Sequence, residues 1–403
     1  MVAMNDIMPR RKTATPFFGA GDAHARLRAA GQALHHRTVT HCLAYRPYRL
    51  PLLRTVRTAH GPWMEREGIV LRLEDEQGRV GFGEVAPIPW FGTETLAEAG
   101  NVLAKLGDTV EAASLEDIDE RQGCLRFALA SAMTEAGRII PDPPDPAQAR
   151  HVKDPAFARG YGGHRNAPDL SAAAARRMPV AALLPAGKAA LAAADKALAE
   201  GFVAFKWKVG VLAAAEEWVL LDDLLARLPG HVKLRLDANG AWTTRQAAKW
   251  LERCAERPIE FVEQPVGSED VDALTGLAGD YPTTLALDES VTGLPSLRIW
   301  LGRGWPGALV VKPALAGAPA SVLGLLAKHQ ADVVFSSAFE TAVGRQAALR
   351  MAFQFKSRHP RALGFGVTPL FKDGRFDGLP AVPFVSVEDV NRMNPETVWN
   401  ALN

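Results

Sequence analysis

Five apolar runs along this chain each end abruptly on a charged residue. They are Val203-Ala-Phe-Lys-Trp-Lys208, Val232-Lys-Leu-Arg-Leu-Asp237, Ile259-Glu-Phe-Val-Glu263, Thr284-Leu-Ala-Leu-Asp288 and Ala308-Leu-Val-Val-Lys312. Each reads as a buried strand, and the charged ends recur every 24 to 29 residues. That interval holds one helix and two short loops, the period of a β/α barrel. Runs at 180–184, 332–336 and 363–366 bring the strand count to eight. Helical stretches fit between the strands at 189–200, 213–227, 244–257, 318–329 and from about 344, with Gly201, Gly230 and Pro258 as stops.

Upstream, residues 41–137 read as an α+β capping domain. Ile69-Val-Leu-Arg-Leu73 and Val80-Gly-Phe-Gly-Glu-Val85 alternate as a hairpin. Thr95-Leu-Ala-Glu98 is a capping box opening a helix, and Ser114 is expected to cap the next. Residues 138–178 are rich in Pro, Gly and Ala and read as a linker. Residues 1–40 show no strong periodicity and lack the apolar core of a secretory signal, so they read as an extension outside the fold. Residues 371–403 have little barrel character and are expected to pack back on the capping domain. The expected architecture is an α/β fold: a modified TIM (β/α) barrel at 179–370 behind an N-terminal α+β cap.

Composition narrows the classes. A net charge of +1 over 403 residues, with no long basic run, gives nucleic-acid binding no electrostatic support. No apolar stretch approaches the roughly 20 residues that cross a bilayer. The three cysteines, Cys42, Cys124 and Cys254, are odd in number and far apart, as reduced cytoplasmic thiols are. The expected partner is a small-molecule substrate, with monomer and homo-oligomer both open.

In a barrel the C-terminal strand ends converge on one mouth. Asp237, Glu263 and Asp288 would meet there, flanked by Lys208 and Lys312. An acid after a strand often caps the next helix, and a Lys-x-Lys pair is commonly exposed. Three acids in register on consecutive strands change that picture, because converging carboxylates repel unless a cation joins them. All-oxygen ligands favour Mg²⁺ or Mn²⁺. Asn239, Gln264 and Glu289 are candidates to orient the acids from behind. Lys206 and Lys208 lie two apart on one strand face, so their mutual repulsion is expected to lower the amine of Lys208 toward use as a base. Lys312 falls across the mouth from Lys208. Trp90 and Phe91, in a Pro/Gly loop of the cap, are candidates for a lid.

These residues carry a resemblance. Phe205-Lys-Trp-Lys-Val-Gly210, Leu234-Arg-Leu-Asp-Ala-Asn-Gly-Ala-Trp242, Glu260-Phe-Val-Glu-Gln-Pro265, Leu285-Ala-Leu-Asp-Glu-Ser290 and Val311-Lys-Pro-Ala-Leu315 are similar to the motifs of the enolase superfamily, muconate-lactonizing subgroup. The segment Phe335-Ser-Ser-Ala-Phe-Glu-Thr-Ala-Val-Gly344 most resembles the o-succinylbenzoate synthase family of menaquinone and phylloquinone biosynthesis. The resemblance runs from about 41 to 395. It implies that Asp237, Glu263 and Asp288 bind Mg²⁺, which grips a substrate carboxylate. Lys208 would remove the α-proton to give an enediolate and then protonate the departing hydroxyl. Lys312 would stabilise the intermediate from the opposite face, and Lys206 would tune Lys208 and touch the carboxylate. Ser336, Ser337, Gly364, Gly366 and Trp90 would line the pocket. The implied reaction is dehydration of 2-succinyl-6-hydroxy-2,4-cyclohexadiene-1-carboxylate.

Other readings stand beside it. An N-acylamino acid racemase would use the same acids, with Lys208 and Lys312 as opposed bases. A Schiff-base aldolase barrel leaves the three acids unexplained. A non-catalytic protein of this fold leaves the whole constellation unused. Residues 1–40 and the linker are not part of the family pattern.

Overall fold

The computed structural model describes residues 39–58, 61–137 and 177–402. The extension expected at 1–40 and the linker at 138–178 therefore lie outside the described residues, except 39–40 and 177–178. Thr40 opens the first strand of the cap, and Arg177 opens the first strand of the barrel.

The cap is a four-stranded antiparallel sheet, ordered β3-β2-β1-β4, from β1 (Thr40–Thr58), β2 (Gly61–Asp75), β3 (Val80–Val85) and β4 (Thr109–Glu111). The β2–β3 hairpin expected from the alternating runs is present, with Ile69 opposite Val85. The sequence reading did not single out β1, which carries Pro47 and Pro51. Proline cannot donate to a ladder and so belongs on an edge. Only Thr40 to Cys42 of β1 pair with β4, so both prolines lie where β4 leaves that side of β1 open; there Leu52 bridges to Phe371 and the Pro51 carbonyl accepts the Lys372 N–H. The register against β2 shifts between Pro51 and Val56.

Helix α1 (Leu96–Leu106) opens with the expected box: the Glu98 N–H donates to the Thr95 hydroxyl at 3.2 Å, and the Thr95 N–H donates to the Glu98 carboxylate at 2.7 Å. Ser114 does not cap a helix. It sits inside a 3-10 turn at Ala112–Leu115 and accepts the Glu111 N–H, while α2 (Gly123–Ala136) starts later without a side-chain cap. The Leu125 N–H in its first turn is met by buried Glu94 at 2.8 Å.

The barrel has eight parallel strands: β5 (Arg177–Leu184), β6 (Ala204–Lys208), β7 (Lys233–Asp237), β8 (Ile259–Glu263), β9 (Leu285–Leu287), β10 (Ala308–Val311), β11 (Val333–Phe335) and β12 (Leu363–Gly366). A parallel bridge between Ser336 and Gly364 brings the two ends of the sheet together. Eight helices follow the strands, from α3 (Ala189–Ala199), α4 (Ala214–Arg227) and α5 (Thr244–Cys254) through α6 (Val271–Asp280), α7 (Leu294–Gly302), α8 (Pro313–Ala316) and α9 (Pro319–Lys328) to α10 (Ala342–Gln354).

Alternation sorts each strand into two faces. Phe205, Trp207, Leu234 and Leu236 face the helices and join the main core. The alternate positions form small buried clusters of their own, Phe261 with Ala286, Ala308, Val310 and Val334, and Ala181 with Ala204 and Ala362. Two residues further along the same inner face lie Lys206, Glu263, Asp288, Lys312, Ser336 and Gly364. The barrel thus has an apolar floor and a polar layer at its C-terminal mouth. Below Asp237, the buried Arg235 guanidinium lies 4.9 Å from the Phe261 ring and donates to Glu260 and to the Ala362 carbonyl.

The tail divides its contacts between cap and barrel: at its start Phe371 bridges Leu52 of β1, and the Lys372 N–H donates to the Pro51 carbonyl at 3.1 Å. Strand β13 (Phe384–Ser386) pairs antiparallel with barrel strand β5. After α11 (Val387–Arg392), helix α12 (Pro395–Ala401) does reach the cap: Trp399 lies 6.2 Å from the Phe82 ring and under the Arg46 guanidinium at 4.1 Å. No helix among the described residues is long and apolar enough to cross a membrane.

Helix α2 lies against β3 through glycines. A Cβ on Gly81 would stand 2.0 Å from the Ala132 carbonyl oxygen, and one on Gly83 2.0 Å from that of Ala128. Backbone cannot yield as a flexible side chain would. Gly83→Ala is expected to cost about 1–3 kcal/mol of stability, read as a lowered denaturation midpoint; an unchanged midpoint would contradict this packing.

Candidate active site

The mouth is built from adjacent strand ends. Parallel pairing sets Lys208 beside Asp237 and Asp237 beside Glu263. Asp288 follows β9 directly, and Lys312 follows β10. Three strands lie between β6 and β10 on either side in a ring of eight, so Lys208 and Lys312 face each other across the mouth. Asp237, Glu263, Asp288 and Lys312 are all buried.

Buried charges need partners, and the lysines supply them. The Lys206 ammonium bridges Asp237 at 2.9 Å and Glu263 at 2.6 Å. Lys312 pairs with Asp288. Burial works against the Lys206 ammonium, but the Asp237 and Glu263 charges outweigh it and hold its pKa above the ordinary value. The Lys206 charge is thus shared between the two acids, beside the Lys208 it was expected to repel. Burial, then the charge of Lys206, push Lys312 down to about 7 against the pull of Glu263, Asp237 and Glu340. Lys208 is half-buried and makes no hydrogen bond or ion pair with any described residue. It is the amine left free to meet a ligand.

Behind the acids stand the three residues expected to orient them. The Asn239 N–H donates to Asp237 at 3.0 Å, and its amide reaches Glu289 at 3.3 Å. The Gln264 side-chain oxygen accepts the backbone N–H of Asp288 at 3.0 Å, and its nitrogen donates to Ser290 and to the Val266 carbonyl. Both residues take left-handed backbone, φ 44° and 38°. Those turns bring their amides back under the strand ends. Burial and the Asp237 charge push Glu289 up to about 7, and its second oxygen is buried without a partner.

The remaining pocket candidates lie on β11, β12 and the cap. The Ser336 hydroxyl donates to the Gly364 carbonyl at 3.1 Å, and Ser337 donates to Glu340 at 3.0 Å. A Cβ on Gly364 would strike Ser336, and one on Gly366 the Ala181 carbonyl, so both positions require glycine. Of the two lid candidates, Phe91 reaches the site: its ring lies 5.0 Å from the Lys312 ammonium. Trp90 packs edge-on against Trp63, centroids 5.1 Å apart.

Two buried residues of the cap escaped the sequence reading. Glu84 accepts the Thr341 and Gly344 N–H groups at the start of α10 and the hydroxyls of Thr341 and Tyr48. Arg66 donates to carbonyls on both sides of the cap–barrel contact. Their barrel partners lie more than 250 residues away, and no local pattern announces them.

Among the described residues, no three His, Cys, Asp or Glu side chains are gathered closely enough to hold a metal ion as they stand. The donor set nevertheless fits a hard divalent cation in kind. Every available donor is oxygen, and the carboxylates of Asp237, Glu263, Asp288 and Glu289 outnumber the two ammoniums of Lys206 and Lys312 that face them. The second oxygen of Glu289 is a further oxygen donor, buried without a partner.

Residues 40–136 match the family model described as MenC, N-terminal domain, and residues 189–382 match that described as enolase C-terminal domain-like. The chain is 38% identical over 328 residues to an o-succinylbenzoate synthase of Thermosynechococcus vestitus, covering 80% of this chain and 91% of the relative. It superposes with a TM-score of 0.69 at 34% identity on the crystal structure of o-succinylbenzoate synthase from Thermosynechococcus elongatus BP-1 complexed with Mg in the active site, covering 89% of this chain and 99% of that one. A racemase of N-succinyl Arg/Lys from Bacillus cereus shares the fold at a TM-score of 0.67 and 17% identity, covering 90% of this chain and 97% of that one.

Glu263→Gln removes the most deeply buried of the acids. Titration with Mg²⁺ is expected to show affinity at least tenfold below wild type, and the thermal stabilisation by the ion, about 2.7 kcal/mol at a hundredfold excess over Kd, to shrink with it. An unchanged titration would contradict the assignment of Glu263 as a ligand.

Proposed function

The chain belongs to the o-succinylbenzoate synthase family of the enolase superfamily, and from that membership we propose that it dehydrates 2-succinyl-6-hydroxy-2,4-cyclohexadiene-1-carboxylate to o-succinylbenzoate in menaquinone biosynthesis. The observation that carries the residue roles is the free Lys208 amine facing the paired Lys312 ammonium across a mouth lined by acids.

Asp237, Glu263 and Asp288 would hold Mg²⁺. When bound, that ion supplies positive charge for the substrate carboxylate and for the charge that grows on it. Lys208, as the neutral amine, takes the proton from the carbon bearing that carboxylate. The C–H electrons move into the bond toward the carboxyl carbon and give an enediolate. Lys312 stands on the opposite face as a cation and stabilises that charge. The electrons then return to the ring, the C–O bond to the neighbouring hydroxyl breaks, and the Lys208 ammonium gives its proton to the departing oxygen. Water leaves on the face from which the proton was taken, and the ring becomes aromatic. Lys206 keeps Asp237 and Glu263 from repelling each other, and Gln264 and Asn239 fix the strand ends that carry the acids.

A second reading uses the same pair of lysines. Base and acid on opposite faces also serve a racemase of N-acylamino acids, in which Lys208 takes the α-proton from one face and the Lys312 ammonium gives its own proton to the other. The two reactions differ in what leaves the enediolate, a hydroxyl in one and nothing in the other.

Loss of diene absorbance tests the assignment of the base. Lys208→Ala is expected to lower turnover by roughly 10²–10⁴-fold or more, with Mg²⁺ affinity kept near that of wild type. Substantial turnover in that variant would contradict the role of Lys208.

A further inference from the structure

Arg66, on β2 of the cap, is a charged side chain only 2% exposed, and it pairs with no carboxylate among the described residues. A guanidinium has five N–H donors in a fixed fork. All five are used here, and all on backbone carbonyls. Nε donates to Phe339 at 3.1 Å, Nη1 to Glu67 at 2.9 Å and Pro87 at 2.8 Å, and Nη2 to Ala86 and to Ala338 at 3.3 Å. One side chain thus ties three segments together. The first is its own strand. The second leads into the cap loop whose Phe91 ring lies on Lys312. The third is the barrel loop after β11, which carries Ser337.

That third segment is strained. Phe339 sits in the left-handed region at φ 59°, where a bulky side chain is disfavoured. Its carbonyl is held by Arg66, its N–H by the Ser337 hydroxyl at 3.0 Å, and its ring by Trp63, centroids 5.4 Å apart. Trp63 in turn lies under the Arg66 guanidinium at 5.3 Å. The strained turn is therefore fixed mainly from the cap.

We propose that Arg66 is a positioning residue through which the capping domain sets the conformation of the Ser337–Phe339 loop and holds it against the loop of Phe91, so that the substrate side of the mouth is shaped by a contact made outside it. The proposal rests on the functional reading above. A uniform scaffold role would leave the left-handed turn without consequence for catalysis. A positioning role makes turnover depend on whether residue 339 can hold that turn. Lysine at position 66 has three donors on a point charge and cannot serve three segments.

The test is steady-state kinetics on purified full-length variants with Mg²⁺, alongside thermal melts and Mg²⁺ titration. Arg66→Lys is expected to lower kcat/KM at least tenfold, with Mg²⁺ affinity unchanged, and Phe339→Gly in that background to restore at least threefold, because glycine holds φ 59° without strain. Where Arg66→Lys does not fold, Phe339 alone gives the answer with Arg66 intact. Phe339→Gly is expected to stay within about threefold of wild type, and β-branched Phe339→Val to fall at least tenfold at unchanged Mg²⁺ affinity. Arg66→Lys within twofold of wild type, or Phe339→Gly and Phe339→Val falling alike, would overturn the positioning role while an active wild type keeps the functional reading. A wild type inactive on both the cyclohexadiene carboxylate and N-succinyl amino acids would overturn that reading and this role with it.

Discussion

The Lys206 ammonium, held between Asp237 and Glu263, is the contact on which the mouth of this barrel depends. Removing one partner of a buried ion pair costs about 3–5 kcal/mol, because the other charge is left without compensation. Here one ammonium serves two carboxylates on adjacent strands, and a second, Lys312, serves Asp288. The pairing lets the acids stay buried at strand ends in a folded chain. It also leaves negative charge in excess, seen in Glu289, whose carboxyl is pushed up to about 7 by burial and by Asp237. Stability of the mouth and its appetite for a cation arise from the same side chains. Lys208 stands outside these pairs, and that freedom is what the proposed role as base requires.

The cap contributes more than cover. Glu84 receives the first N–H groups of α10, so a cap carboxylate serves as the N-terminal cap of a barrel helix. Arg66 ties cap and barrel loops through carbonyls alone. Phe91 brings an aromatic face to Lys312. Each contact joins the two domains next to the mouth. A shift of the cap would therefore alter the loop of Ser337 and the surroundings of Lys312 together.

Much of this was legible in the chain, for a physical reason. A strand in a parallel barrel is buried on both faces except at its mouth, so an apolar run ending on a charge marks both an element and its functional end. Lys208, Asp237, Glu263, Asp288 and Lys312 were found in that way. The same-face rule placed Lys206 beside Lys208 but could not say that it would turn to the acids, because partners on neighbouring strands decide that. Strand β1 was obscured by Pro47 and Pro51, which read as breakers until the sheet shows them where β4 leaves that side of β1 open. Ser114 resembled a cap, yet the helix begins only at Gly123. Arg66 and Glu84 were out of reach, since their partners lie on a loop that folding alone brings near. Adjacent Trp90 and Phe91 looked equivalent in sequence. The 3-10 turn at Pro89–Phe91 presents Phe91 to the site and Trp90 to Trp63.

The central claim is that opposed lysines in an acid-lined mouth drive an elimination and not merely a proton exchange. Parallel progress curves on the wild-type protein with Mg²⁺ test it most directly, one following the ultraviolet absorbance of the cyclohexadiene carboxylate and one the optical rotation of N-succinyl amino acids. The account predicts fast loss of the diene signal, abolished by EDTA, with slower or no racemisation. Rapid racemisation with little dehydration would contradict it and leave the lysines and acids to the racemase chemistry.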